Sequence, residues 1–360
     1  ATASGGTTTV TAPSLIVNGT GIVQSTVGDL QISSNAPGNV LSVALNGPTS
    51  TLVSNTGNVN FNTPGAQGKI DVTGGPTNGV ITANGGNGLA NFNGGLANAV
   101  NVNVNQINAC IAGTGTPFNV TVGQASILGS VKFGPITSNG DLNLVSPTDV
   151  GICADITSNG GDINVTSGTG AANNVSFAAN ADLFANKNVN ISTANLNLTG
   201  GNNTINSTTG NVSVQSNAPG NGLNVAMGVG SKINATAVTP GNGNIFFNPT
   251  TPGDISVNGG PANGLLNAGK TVSYAGGAVT TNVNQINGSV VSQGAAVTTA
   301  SITTNTGDLK VGPFTSSGTT AFTANGKGAD IITSGIINSG AGNLTLQAGS
   351  GADADVKLNN

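Results

Sequence analysis

Residues 140–144 read Gly-Asp-Leu-Asn-Leu, and residues 161–165 read Gly-Asp-Ile-Asn-Val. Each phrase couples a turn pair to a triplet in which two apolar side chains flank a polar one. Gly and Asp favour turns, and apolar residues two apart lie on one face of a strand. The phrase is therefore a tight turn followed by a short, half-buried strand. It recurs with Asn freely replacing Asp: GDLQI at 28–32, GNVNF at 57–61, GNVSV at 210–214, GNIFF at 243–247, GDISV at 253–257, GDLKV at 307–311 and GNLTL at 342–346. Further alternating stretches lie between, such as NAVNVNVNQIN at 98–108, NVTVG at 119–123 and NKNVNISTANLNL at 186–198.

Strands of a sandwich have individual identities. These strands are interchangeable and return every 20 to 35 residues or so, which is the length of one coil of a parallel β-helix. In such a coil each strand pairs with its equivalents above and below. Val, Ile, Leu and Phe then stack inward, while Gly and Asn turn the corners, where positive φ is often needed. Stacked Asn side chains are expected to form hydrogen-bonded ladders between coils.

Composition supports an all-β chain. Gly contributes 57 residues; all 12 acidic residues are Asp, all 8 basic residues are Lys, and Glu, Arg, His and Trp are missing. Strong helix formers are thus scarce. Disorder predicts few apolar residues and high net charge; here 36% of residues are hydrophobic, 6% are charged, and mean hydropathy is +0.10. Eight scattered Lys do not make the electrostatic footprint of a nucleic-acid binder. No apolar run approaches the roughly 20 residues that span a bilayer.

A longer period overlies the short one. GGPTNG at 74–79 matches GGPANG at 259–264, NVNQIN at 103–108 recurs at 282–287, and FGPITSNG at 133–140 matches VGPFTSSG at 311–318. GDINVTSGTG at 161–170 likewise matches GNLTLQAGSG at 342–351. The hexapeptide SNAPGN stands at 34–39 and again at 216–221, after a GDLQI or GNVSV strand each time. It reads as the same corner of the same coil in two copies. The expectation is a parallel β-solenoid of two tandem homologous blocks of about 180 residues, 1–181 and 182–360, with no linker.

The repeated GDI/GNL strand-turn phrases, in a background of Asn, Thr and Gly, resemble the repeats of filamentous-haemagglutinin-type large exoproteins. The likeness is one of architecture, and the family's amino-terminal secretion motifs are not among the matched phrases. It implies a right-handed parallel β-helix, secreted and used as a surface fibre or adhesin.

Candidate chemistry is sparse. Without His, Glu or Arg the usual acid–base and nucleophile-activating groups are missing. Asp149, Asp155 and Asp162 are the densest acidic set of the first block, while Asp29, Asp141, Asp162, Asp254 and Asp308 occupy the turn position where Asn substitutes. That interchange predicts turn capping and not ionisation. Asp353 and Asp355 lie in a terminal turn, read as solvated sooner than as a weak calcium site. Cys110 and Cys153 occur only in the first block, with Ser289 near the matching place in the second. They are candidates for a disulfide in an oxidising compartment, with two buried thiols as the alternative. Asn-x-Ser/Thr sequons, among them Asn18, Asn119, Asn164 and Asn234, are as frequent as composition alone produces.

The expected function is structural and not enzymatic, with no catalytic residue, metal or cofactor. The chain reads as a subunit of an extracellular filament, fibre or sheath, its signal removed before Ala1. Its partner would be itself, with the cell surface or other filaments as further contacts. Copies are expected to assemble head to tail through solenoid ends, which expose backbone and core when uncapped, or by donating the strand TTTVTAPSLIV at 7–17. A cell-surface adhesin stalk is the alternative, and a polysaccharide-active β-helix enzyme a distant third.

Overall fold

The computed structural model describes every residue except 1, 4, 37, 63–66, 85–87, 125, 127–128, 219, 221, 240, 250–252, 294–296 and 360, and omits the side chains of 2, 3 and 249. Both SNAPGN corners therefore lie partly outside the described residues, at Pro37, Pro219 and Asn221. Among the described residues every helix-or-strand element is a strand, from Thr2–Ala3 to Val356–Leu358. By compactness the chain forms two units, Ala1–Gly168 and Thr169–Asn360.

Unit 1 is a parallel β-solenoid. One ladder climbs from Thr8–Thr11 through Leu30–Ser33, Val59–Phe61, Leu89–Asn93 and Cys110–Thr114 to Val131–Ser138. A second climbs from Ser14–Asn18 through Leu41–Asn46, Ile70–Thr73, Val100–Val104, Phe118–Val122 and Leu142–Val145 to Ile163–Thr166. A third joins Thr2–Ala3, Ile22–Ser25, Thr51–Ser54, Val80–Ala83 and Gln106–Asn108. Each coil thus contributes up to three strands, and every pairing is parallel.

The register keeps like over like. Leu30 sits beside Val59, then Ala90, then Ile111, and all four are buried. Ile32 sits beside Phe61, which stacks on Phe92 with ring centroids 4.5 Å apart. Because side-chain direction alternates along a strand, a slip of one residue would turn this whole column outward. Burial of the column therefore fixes the register.

Unit 2 repeats the plan. One ladder runs from Val189–Ser192 through Val212–Ser216, Ile245–Pro249, Leu265–Tyr274, Gln285–Ser292, Leu309–Val311 and Ile331–Thr333 to Val356–Leu358. Another runs from Asn174–Phe177 through Asn195–Leu198, Leu223–Met227, Ile255–Asn258, Ala278–Val283, Thr299–Thr304 and Thr320–Ala324 to Leu344–Gln347. Phe247 and Tyr274 stack inside it at 5.5 Å, and the Tyr274 hydroxyl accepts a hydrogen bond from Thr281 Oγ1 at 3.1 Å. Burial holds that phenol protonated, well above its ordinary pKa. On the last rung Leu344, Val356 and Leu358 are exposed, although their ladder neighbours Thr320 and Ile331 are buried.

Segments matched by the long sequence period take the same pairings within each unit. Cys110 pairs with Lys132, and Val131 and Phe133 pair with Val150 and Ile152. In unit 2 Ser289 pairs with Lys310, and Leu309 and Val311 pair with Ile331 and Thr333.

Candidate functional site

The repeated phrase makes one interlocking corner. In Gly57-Asn58-Val59 the Asn58 amide N–H donates to Asp29 Oδ1 of the preceding coil at 2.8 Å, and Asn60 Nδ2 donates to Asp29 Oδ2 at 3.1 Å. Asn58 Oδ1 in turn accepts the Leu89 amide at 2.9 Å. The same bond joins Asp141 to the Asp162 amide, Asn188 to Asn211, Asn211 to Asn244 and Asp254 to Ala278, each at 2.9 Å. Asp308 accepts the Asp330 amide at 2.9 Å and Asp330 accepts the Asp355 amide at 2.8 Å. Asp and Asn both present an Oδ1 acceptor, and that is why they interchange.

The glycine that opens the phrase has a second role besides the positive φ expected of it. Some corner glycines do take positive φ, among them Gly28 at 78° and Gly307 at 69°. At Gly57, Gly161 and Gly210 the reason is close approach: a Cβ there would lie 2.4, 2.5 and 2.5 Å from the carboxyl or amide oxygen of Asp29, Asp141 and Asn188. Glycine leaves the space through which the preceding coil reaches the next amide. The corner needs both residues together.

A third participant was not singled out from the sequence. Ser54 is fully buried; its hydroxyl donates to the Gly28 carbonyl at 2.8 Å and accepts from the Gly57 amide at 2.9 Å. Ser158 repeats this with Gly140 and Gly161, at 2.8 and 2.9 Å. Ser207 does so with Lys187 and Gly210. The signal is a Ser or Thr three residues before the phrase glycine, as at Ser25, Ser54, Ser158, Ser207 and Thr304.

Outward-facing side chains form a ladder in unit 1. Asn101 Nδ2 donates to Asp71 Oδ1 at 2.9 Å, Asn119 to Asn101 at 2.9 Å, Asn143 to Asn119 at 2.7 Å and Asn164 to Asn143 at 2.9 Å. Lys69 closes the foot with an ion pair to Asp71 at 2.7 Å. An ionised carboxylate only accepts, so Asp71 orients every amide above it. The sequons at Asn119 and Asn164 have their amide nitrogens engaged in this ladder.

Asp149, Asp155 and Asp162 immediately precede three different strands, Val150–Ile152, Ile156–Ser158 and Ile163–Thr166. Their carbonyls accept the amides of Val131, Ile136 and Leu142 from the coil below, at 3.1, 3.1 and 2.9 Å. At the far end, the Lys357 ammonium pairs with Asp330 Oδ2 and lies 3.9 Å from Asp355. That pairing holds the Asp330 carboxyl below the usual carboxylate range and pushes Lys357 up. Asp353 is exposed, and among the described residues no three acidic or cysteine side chains gather as metal ligands.

Cys110 and Cys153 are joined by a disulfide across 43 residues, with their Cα atoms 7.0 Å apart. Cys110 lies on the rung below Lys132 and Phe133, and Cys153 follows Ile152 on the rung above. The bridge therefore steps over one coil, and the two sulfurs lie 2.7 and 3.1 Å from the intervening Gly134 carbonyl oxygen. No helix among the described residues is long and apolar enough to cross a membrane. Comparison with protein-family models, with curated proteins and with solved structures finds no match, so the reading of this chain rests on its own repeats and corners.

Proposed function

We propose that this chain is a structural subunit of an extracellular filament, fibre or sheath, built on the same plan as the exoprotein-type solenoids its repeats resemble. The observation that carries this reading is the use made of its charged and amide side chains. Asp29, Asp141, Asp254, Asp308 and Asp330 each accept a main-chain amide from the next coil. Groups that would serve as acids, bases or ligands in an enzyme here bind one rung to the next.

Such a rung is self-complementary along the solenoid axis. It carries a backbone ladder, an apolar row and a corner acceptor, and each meets its like on the following coil. A rung supplied by a second copy would meet the same set, which favours head-to-tail assembly into open filaments. Strand donation from residues 7–17 is the other mode. The Cys110–Cys153 bridge suits an oxidising, extracellular setting.

Light scattering across a concentration series, followed by electron microscopy, tests the proposal. Mass is expected to rise with concentration, and micrographs to show unbranched fibres of one width. A monodisperse monomer at high concentration, with both termini intact by mass spectrometry, would sink it.

A further inference from the structure

The disulfide sits where the unit 1 ladder is interrupted. Between Cys110–Thr114 and Val131–Ser138 the register runs Ile111 to Phe133 and then Gly113 to Ile136. Ala112 thus faces two residues, Gly134 and Pro135, which is a β-bulge. Pro135 has no amide hydrogen to give the ladder. Gly134 has φ +112°, and a Cβ there would lie 2.3 Å from the Ala154 carbonyl oxygen. The bulge therefore lacks one ladder donor at Pro135, and no other residue type replaces its glycine without displacement.

Unit 2 passes the same point without a bridge. Ser289 stands where Cys110 does, Gly312-Pro313 where the bulge does, and Ser334 where Cys153 does. The backbone bond is kept: the Ser334 amide donates to the Val311 carbonyl at 2.8 Å, as the Cys153 amide does to Phe133 at 2.8 Å. The Ser289 hydroxyl is buried without a hydrogen-bond partner. The fold itself therefore does not require a covalent tie at this place.

We infer that the Cys110–Cys153 disulfide is a reducible brace, making the bulge at Gly134-Pro135 a redox-sensitive opening point that unit 2 lacks. Both cysteines are half-buried and not sealed in the core, so a thiol can reach them. The chemistry is thiol–disulfide exchange with an external dithiol. A thiolate of the dithiol attacks one sulfur, the Cys110–Cys153 bond breaks, and a mixed disulfide forms. The second thiol of the reagent then closes its own ring, so the reagent is oxidised by two electrons and Cys110 and Cys153 each leave as a thiol. With the tie gone, the ladder from Cys110–Thr114 to Val131–Ser138 is left interrupted at the bulge, while the neighbouring ladder through Phe118–Val122 and Leu142–Val145 stays paired. This inference stands whether or not the chain forms filaments.

Hydrogen exchange followed by mass spectrometry, with and without dithiothreitol, tests it. Peptides covering 110–114 and 131–138 are expected to exchange about tenfold faster after reduction, a local opening in the sense of sub-global unfolding. Peptides covering 289–292 and 309–315 serve as the internal control and are expected to stay unchanged. The double variant Cys110→Ser, Cys153→Ser is expected to match the reduced protein without any reductant. Should that variant fail to fold, the reduction of the unmodified chain still decides the matter. Equal acceleration in both units, no acceleration in unit 1, or two titratable thiols before reduction would each overturn the brace.

Discussion

The outward stripe of unit 1 reads Asp71, Asn101, Asn119, Asn143 and Asn164, rung over rung. The corresponding stripe of unit 2 reads Ser256, Thr280, Ser301, Ala321 and Thr345. In the first, side chains are half-buried and hydrogen-bonded end to end; in the second, Thr280, Ser301 and Thr345 are exposed and an alanine interrupts the row. Yet both stripes lie on unbroken parallel ladders with inward neighbours in register, Val102 and Val120 in one, Val283 and Thr304 in the other. What sets the coil is therefore the inward row and the backbone. The amide ladder is an addition that the matching stripe of unit 2 does not carry; unit 2 places a shorter one elsewhere, from Asn325 to Asn305 to Asn282.

The largest test of that comparison removes an inward ring from each unit. Phe92 stacks on Phe61 at 4.5 Å, and Phe322 meets Phe314 edge-on at 5.1 Å; all are fully buried. Phe92→Ala and Phe322→Ala are each expected to cost about 3–5 kcal/mol, the range for deleting a buried ring and leaving its cavity. Urea unfolding, read with strand-specific hydrogen exchange because solenoids need not unfold as one unit, measures both. A mild loss for Phe92→Ala beside a severe one for Phe322→Ala would mean that the amide ladder carries unit 1, and the comparison would break.

A smaller effect sharpens the comparison. Asn119→Ala removes a donation to Asn101 and an acceptance from Asn143. For partly buried neutral hydrogen bonds the expected cost is about 1 kcal/mol. Ser301→Ala, at the matching exposed place, is expected to stay within about 0.5 kcal/mol. Equal losses in the two variants would show that the ladder geometry adds nothing beyond an exposed polar surface.

The solenoid was legible because its inward row alternates with period two and returns once per coil, and GDLNL and GDINV carry both periods. Turn capping by Asp was legible from its exchange with Asn. The reason for Gly57 was not, since the atom it makes room for, Asp29 Oδ1, lies 28 positions earlier and meets it only after stacking. Nor was the burial of Ser54 or Ser158 evident: a serine near a turn ordinarily faces water, and these are enclosed by the carbonyl of the coil below. The cysteine pair was readable as a candidate, its 43-residue separation being about two short coils or one long one, but the bulge at Gly134-Pro135 between them is announced by no periodicity.

The smallest expected effect concerns charge at a corner. Most corner acceptors face neutral donors, as Asp29 faces the Asn58 amide and Asn60 Nδ2. Asp330 differs: Oδ1 accepts the Asp355 amide, and Oδ2 meets the Lys357 ammonium. The lysine, and then the amide, lower its pKa, so the folded chain binds that proton less readily than the unfolded one. The resulting stability is full above the ordinary carboxylate range near 4 and is lost as pH falls through the lowered folded value. For Lys357, whose pKa is raised, the contribution is present below the ordinary lysine range and is lost as pH rises beyond it. Protection of the amides in Ile331–Thr333 and Val356–Leu358 is therefore expected to weaken slightly in acid, with the carboxylate-free corner of Asn188 and Asn211 as the reference. Asp330→Asn keeps an Oδ1 acceptor for Asp355 but removes the charge, and it should flatten the acid response while leaving the pairing of Ile331 with Val356 in place. If the variant retained the full acid response, the sensitivity would belong to another group, and Asp330 would be one more neutral-type corner in which Asn serves as well as Asp.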